Sequence, residues 1–347
     1  MFQVGIALFF CLGADFLHDW ERLRQAQPEG YLCGRAQKIV IDGKLDEASW
    51  AQAPWTRDFQ DIEGSAKPKP RFRTRAKMLW DDEYFYVAAE MEEPHVWGRL
   101  TKHDAVIFQD PDFEVFIDPD GDRQNYYEFE MNALNTGWDL ILKKAYIDGG
   151  PALNEWEIPG LKTAVSVNGT FDQPNDTDRG WSVEMAFPWK ALGEFSKQKA
   201  PPNEGDVWRV DFSRVEWQIE IHDGKYTKVP GTKEDNWVWS PTGIIDMHRP
   251  ENWGYVKFTK KDSKQTFQPK RNGDVDKLLT VYYAEKAFHE KNKRWARSAD
   301  ELSIALSGVK LQTSDKGFTA SLGKFSVGED GLLSGADRNA GSGRISE

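Results

Sequence analysis

The chain has 347 residues, enough for one large or two modest domains with a buried core, and its net charge of −11 comes from 56 Asp plus Glu against 45 Lys plus Arg. With no basic run, such a chain repels phosphate backbones, so nucleic acid is not expected as a partner; neutral sugars or cations suit it better. Only two cysteines occur, Cys11 and Cys33, without CxxC or zinc spacing, which excludes a disulfide framework.

The first 14 residues, MFQVGIALFFCLGA, are apolar and uncharged. They are too short to span a bilayer and resemble a secretory h-region ending at Ala14, although no Lys or Arg precedes the run. A signal peptide over 1–14 implies a secreted, periplasmic or cell-surface protein. The competing readings are a misplaced start codon or a buried N-terminal strand. No other stretch is a membrane-span candidate. Residues 15–36 are polar and mixed, an N-terminal extension with one or two weak helical turns in LHDWERLRQAQ.

From Lys38 the texture changes to short β-type runs punctuated by Gly, Asp and Asn. KIVIDGKLDE, RFRTRAKMLWDDEYFYVAAEME, FEVFID, NYYEFEMN, LKTAVSVNGT, WSVEMAFPW, DVWRVDFSRVEWQ and WGYVKFTK follow at similar intervals. This spacing predicts an all-β domain, an antiparallel β-sandwich over 37–260, with 113–118 and 126–132 as paired strands. No Gly-rich loop joins a strand to a helix, which disfavours a dinucleotide-binding fold. A polar linker follows at 261–273. Residues 274–297 read as a helix, with Leu278, Val281, Tyr282, Ala284, Phe288 and Trp295 near helix spacing. VKLQTS and GFTASLG then complete a small C-terminal α+β appendage over 274–325, and 326–347 is a small, polar, flexible tail.

The stretch QDPDFEVFIDPDGDRQNYYEFEMN, from Gln109 to Asn132, carries most of the chemistry. Asp118, Asp120 and Asp122 open like a calcium loop, but Gly121 is fourth and Phe129 twelfth, so it is not an EF-hand. Two readings stay open: a looser oxygen site for structural Ca2+ or a solvated turn built from ordinary turn residues. No cofactor is required by either. Period-two alternation puts Glu114, Phe116 and Asp118 on one face of the first strand, and Glu128, Glu130 and Asn132 on one face of the second. A glycoside hydrolase holds two carboxylates about 5–10 Å apart, and Glu114 with Glu128 or Glu130 is the pair this hairpin offers. Charged residues on the open face of a hairpin also need no catalytic explanation. The histidines are scattered without HxxxH or HExxH spacing, and no G-x-S-x-G elbow appears.

Taken in order, IDGKLDEASWAQAPW, KMLWDDEYFYVAAEMEEP, DFEVFIDPDGDRQNYYEFEMNA, WSVEMAFPWKAL and WSPTGIIDMHRPENWGYVKF resemble the successive signatures of the family 9 carbohydrate-binding modules. They are closest to the free-standing family 9-like proteins of bacteria, over about residues 37–258. The resemblance implies a β-sandwich that binds sugar-chain ends without catalysis, with structural calcium in some members. It also implies carbohydrate catabolism as the setting and, as a partner, a glycoside hydrolase acting on the same substrate. Residue by residue, the family's binding Glu falls on Glu114 and its Asn on Asn132. Its Arg falls on Glu130, which reverses the charge. The first of two sugar-clamping Trp rings falls at or beside Phe108 and the second near Met247, which has no comparable π-face. Either the ligand differs, or Trp97, Trp138 or Trp253 replaces the lost ring, or the protein is a cell-surface scaffold that no longer binds sugar. Trp253 and Trp181 read more simply as core.

Overall fold

The computed structural model describes residues 15–261, 266–305, 307–335 and 345–346; the signal-peptide reading of 1–14 lies outside them. The strands of the main body are β1 (Gly30–Arg35), β2 (Gln60–Asp61), β3 (Thr74–Trp80), β4 (Tyr84–Glu92) and β5 (Asp112–Asp118). Next come β6 (Gln124–Asn132), β7 (Gly137–Lys144), β8 (Ala152–Leu153), β9 (Lys162–Asn168) and β10 (Gly180–Pro188). The last are β11 (Val207–Glu216), β12 (Ile219–His222), β13 (Lys225–Lys228), β14 (Asp235–Val238) and β15 (Gly254–Phe258). They form the expected β-sandwich. One sheet runs β8-β7-β6-β5-β11-β15-β1 and the other β1-β3-β4-β10-β9.

Strand β1 belongs to both sheets. Gly30–Cys33 pairs in parallel with β15, and Gly34–Arg35 pairs in parallel with β3. Every other pairing is antiparallel. The sandwich therefore starts at Gly30, inside the stretch expected to be an extension. Its sequence GYLCGR is buried along its middle four positions. A strand covered on both faces has no polar–apolar alternation to reveal it.

The β5–β6 hairpin is formed as its alternation predicts. Phe113, Val115 and Ile117 lie opposite Met131, Phe129 and Tyr127, and all six enter the main core. Trp80, Trp181, Trp189, Trp208, Trp237 and Trp239 fill the same core, so packing accounts for much of the aromatic content. The turn between β5 and β6 needs a left-handed residue at Gly121, φ +66°.

The N-terminal helix and the elements from residue 273 to 334 form a second core. Helix α1 (Phe16–Gln25) packs on the long helix α2 (Gly273–Asn292), and α2 in turn covers a four-stranded sheet of β16 (Lys310–Thr313), β17 (Phe318–Leu322), β18 (Phe325–Gly328) and β19 (Leu333–Ser334). The predicted helix is present but ends at Asn292, where Lys293 turns left-handed, so Trp295 lies beyond it. Leu278, Leu279, Val281, Tyr282, Tyr283 and Ala284 are all buried, because α1 and the small sheet cover different sides of α2. Phe288 packs at the edge of this core. Residues 325–334 supply two strands of it, so the early part of the expected flexible tail is structured. Among the described residues, no helix is long and apolar enough to cross a membrane.

Candidate functional site

On the face of the β5–β6 hairpin away from the core, Asp112 pairs with Asn132, Glu114 with Glu130, and Phe116 with Glu128. Ser213 of β11 lies beside Glu114, and Trp138 of β7 beside Glu130. Four carboxyl groups, Asp112, Glu114, Glu128 and Glu130, thus line one strip. Strand pleating forces this: alternate residues of paired strands share a face. Glu114 and Glu130 fall on it as expected. Asp112 joins them, a residue the alternation placed on that face but the sequence reading had not singled out.

Aromatic side chains flank the strip on both sides. Beyond Asp112, Phe108 packs with Trp97, Val215, Trp217 and Tyr226. Beyond Glu128, Phe116, Tyr126 and Trp253 pack with half-buried Trp138 and Met247. Phe108 and Met247, expected at the rim, therefore stand on opposite sides. Trp97 and Trp253 are 5% and 0% exposed and cannot offer a face to a ligand. Trp138 is half-buried and retains part of its ring surface. The sequence reading missed Tyr146, which sits in a short 3-10 turn, Tyr146–Asp148. It is 50% exposed and packs edge-on against His248 at 4.5 Å between ring centroids. Burial raises the pKa of its phenol, and the charges of Glu128 and Glu130 raise it further.

The strip is a floor, not an open face. Glu114, Glu128 and Glu130 are 6%, 5% and 2% exposed, and Asp112 and Asn132 are 0% exposed. The shallow site expected from the hairpin is thus covered by the 98–110 loop. Asn132 holds that loop. Its Nδ2 donates to the Leu100 carbonyl at 2.8 Å and to Asp110 Oδ2 at 3.0 Å. Its Oδ1 accepts from Leu134 N at 3.0 Å and Thr136 N at 3.1 Å. Asp110 Oδ2 also accepts from Arg99 N and Leu100 N. Phe108 N donates to Glu130 Oε2 at 3.0 Å, and Trp217 Nε1 donates to the Phe108 carbonyl at 3.1 Å. Asn132 is therefore a positioning group for the loop that carries Phe108.

No Lys, Arg or His among the described residues is ion-paired with any of the four strip carboxylates. Lys228 approaches from the Asp112 side, but its ammonium rests on the Trp217 ring, 3.2 Å from the centroid. Burial pushes Glu114 up to about 7. Burial first, and then the charge of Glu114, push Asp112, Glu128 and Glu130 well above the usual carboxylate range. Desolvation disfavours the charged form, and like charges a few ångströms apart add to it.

The DPDGD turn lies at the far end of the hairpin. Oxygen atoms of Asp118, Asp120 and Asp122 lie within 4.8 Å of one another. Asp118 accepts from Gly121 N and Arg123 N, Asp120 from Lys197 N, and Asp122 pairs with the Lys197 ammonium. The donors are all oxygen and converge, so this set fits a hard cation; Lys197, 66% exposed at its side chain, supplies the positive charge from solvent. The fold also gathers His103, Asp104, Asp139 and Glu157 from three segments, a cluster that sequence spacing could not reveal.

A profile of the "Carbohydrate family 9 binding domain-like" family matches residues 41–261. Exoglucanase XynX of Acetivibrio thermocellus is 28% identical over 44% of this chain and 12% of its own length. Endo-1,4-beta-xylanase C of Paenibacillus barcinonensis is 33% identical over 29% of this chain and 8% of its own length. The match thus spans about a tenth of those curated relatives. A family 9 carbohydrate-binding module from Caldicellulosiruptor kristjanssonii, solved with cellotriose, superposes with a TM-score of 0.44 at 16% identity, covering 68% of this chain and 96% of that one.

Proposed function

The chain belongs to the carbohydrate family 9 binding domain-like family, and on that premise we propose that it is a non-catalytic protein that binds sugar or polysaccharide chain ends. The observation that carries this reading is the carboxylate strip flanked by aromatic groups on one sheet face, with Phe108 on one side and half-buried Trp138 on the other. A ring supplies contact for the apolar face of a pyranose, and carboxylates accept its hydroxyls. Glu114 is the main acceptor in this scheme, Glu130 and Glu128 assist, and Asn132 holds the loop bearing Phe108. Met247 closes the opposite side in place of a second Trp. The 98–110 loop covers the strip, so sugar entry moves that loop. The DPDGD turn, in the same proposal, holds a structural Ca2+ on Asp118, Asp120 and Asp122.

The setting we infer is secretion or the cell surface, beside a glycoside hydrolase that works on the same polysaccharide. Because curated relatives include xylanases, xylo-oligosaccharides are the first probes, with cello-oligosaccharides alongside. Calorimetry against both, paired with an assay for released reducing sugar, tests the reading. Binding without release is the expected result. Release of reducing sugar that disappears in Glu114→Gln would instead assign the strip to a hydrolase.

A further inference from the structure

Three of the strip carboxylates do something the sugar reading does not require. Single oxygens of Asp112, Glu114 and Glu130 lie within 4.8 Å of one another, and all three residues are buried. That is about twice a calcium–oxygen distance of 2.3–2.6 Å, so one ion can reach all three. We propose that Asp112, Glu114 and Glu130, with Glu128 beside them, form a binding site for one hard divalent cation of the Ca2+ class in the floor of the sugar-binding face.

Proximity of acidic groups alone would not carry this. The independent observation is the state of the side chains. Asp112 is fully buried, and although its Oδ1 accepts from Val215 N at 3.1 Å, its Oδ2 has no hydrogen-bond partner. Glu128 is 5% exposed and its Oε2 is likewise unpartnered. A buried carboxylate oxygen with neither donor nor counter-charge is expensive. Protonation is one remedy; a cation shared by the group is the other. Among the described residues no cationic side chain is ion-paired with the strip: Lys228 sits on Trp217 and Arg249 pairs with Asp246.

The donor set selects the class of ion. All ligands are carboxylate oxygens, which favour hard cations over those that prefer nitrogen or sulfur. The nest is nearly closed to solvent, and Mg2+ usually retains several waters, whereas Ca2+ accepts more protein oxygens with looser geometry.

The inference uses the same face as the proposed sugar site but does not depend on sugar binding. The test uses the full chain freed of metal by chelator and titrated with CaCl2 in a calorimeter. Wild type is expected to take up two equivalents, one at the DPDGD turn and one in the nest. Asp120→Asn should remove the first and leave the second. In the Asp120→Asn background, adding Glu130→Gln or Asp112→Asn should weaken the remaining Ca2+ equivalent at least 100-fold. These substitutions keep side-chain shape and replace a protonatable carboxyl by a neutral amide, and circular dichroism checks the fold; Glu114→Gln is the further variant if one of them unfolds. A single equivalent that survives Asp120→Asn and is lost in the nest variants removes only the turn site; no Ca2+ uptake by Asp120→Asn, or uptake that the nest variants leave unchanged, overturns the proposal. Glucosamine oligomers that bind metal-free wild type and fail on Glu130→Gln would also overturn it, by making the cation an ammonium. Xylo- and cello-oligosaccharide titrations with and without Ca2+ keep the two ideas apart: sugar binding that survives while the nest takes no metal sinks only the ion.

Discussion

Two sets of buried carboxylates beside the β5–β6 hairpin, Glu251 with Asp148 and the four of the strip, are treated in opposite ways. In the first set, Glu251 is 4% exposed, and Arg123, 2% exposed, donates to it from Nε at 3.0 Å. The Tyr283 hydroxyl donates to its other oxygen. Burial alone would raise the pKa of Glu251, but Arg123 and Arg249 outweigh it and hold Glu251 below its ordinary value. Nearby, Asp148 receives the Tyr282 hydroxyl and the Lys286 ammonium, both at 2.6 Å. In the strip, the carboxylates have no cation and their pKa values rise. The lesson is one of partnership rather than burial. A satisfied buried carboxylate docks the appendage onto the sandwich; an unsatisfied one keeps its oxygens without a partner.

The sharpest break of this comparison is at Arg123. Besides Glu251 it donates from Nη1 to the Gly331 carbonyl at 2.9 Å, tying the last small strand to the turn. Removing one partner of a buried ion pair strands the other, at a cost of about 3–5 kcal/mol. Arg123→Ala should therefore lower the midpoint of thermal or urea unfolding strongly. A loss under 1 kcal/mol would show that the appendage is not docked by this pair.

The pH response should differ in sign between Glu114 and Glu251. Glu114 has its folded pKa raised from 4.5 to about 7. Its contribution to stability is fully present below the unfolded value and is lost as pH rises through about 7. Glu251, with its pKa lowered, contributes above its unfolded value of 4.5 and loses that contribution as pH falls. In chelator, Glu114→Gln should match wild type near pH 4 and exceed its stability by about 3–4 kcal/mol near pH 9, at about 1.4 kcal/mol per pKa unit. Urea melts at several pH values measure this, and parallel curves for the two proteins would sink it.

The hairpin was legible because period-two alternation survives in a sheet with one buried face, and its inner residues Phe113, Val115 and Ile117 enter the core as that pattern requires. Strand β1 was not, since Tyr31, Leu32 and Cys33 are buried together and offer no alternation. The strip could be read in part. Glu114, Glu128 and Glu130 follow from the alternation, but the cover over them comes from a loop whose anchor, Asp110, contacts Asn132 across 22 positions of sequence. Tyr146 was invisible for a similar reason: it lies in a short 3-10 turn just after β7, with no periodic signature.

Asn132 tests whether the loop belongs to the satisfied or the unsatisfied class. Its amide makes four hydrogen bonds, all within the protein. Asn132→Ala should cost about 2 kcal/mol, since each net hydrogen bond contributes about 0.5–1.5 kcal/mol and some freed groups regain water. It should also speed hydrogen exchange at Leu100, whose amide donates to Asp110. Unchanged stability together with weakened sugar binding would instead make Asn132 a direct ligand contact.

The smallest expected effect, and the finest division, concerns Tyr146. Its ring is half-exposed and packs on His248, so truncation removes little from either core. The charges of Glu128 and Glu130 raise the pKa of its hydroxyl, so ring and hydroxyl are tested separately. Stacking of an aromatic ring on a flat ligand face is worth about 1–3 kcal/mol by analogy with bases; for a half-exposed ring the low end applies, or about fivefold to tenfold in affinity. Tyr146→Ala should weaken oligosaccharide binding by that factor while Tyr146→Phe keeps most of it, as measured by calorimetry at constant Ca2+. If Phe loses as much as Ala, the hydroxyl rather than the ring meets the ligand, and the site resembles the hydrogen-bonded set more than a stacking platform. If neither substitution changes affinity, Tyr146 lies outside the sugar contact and Trp138 is the ring to examine on that side of the strip.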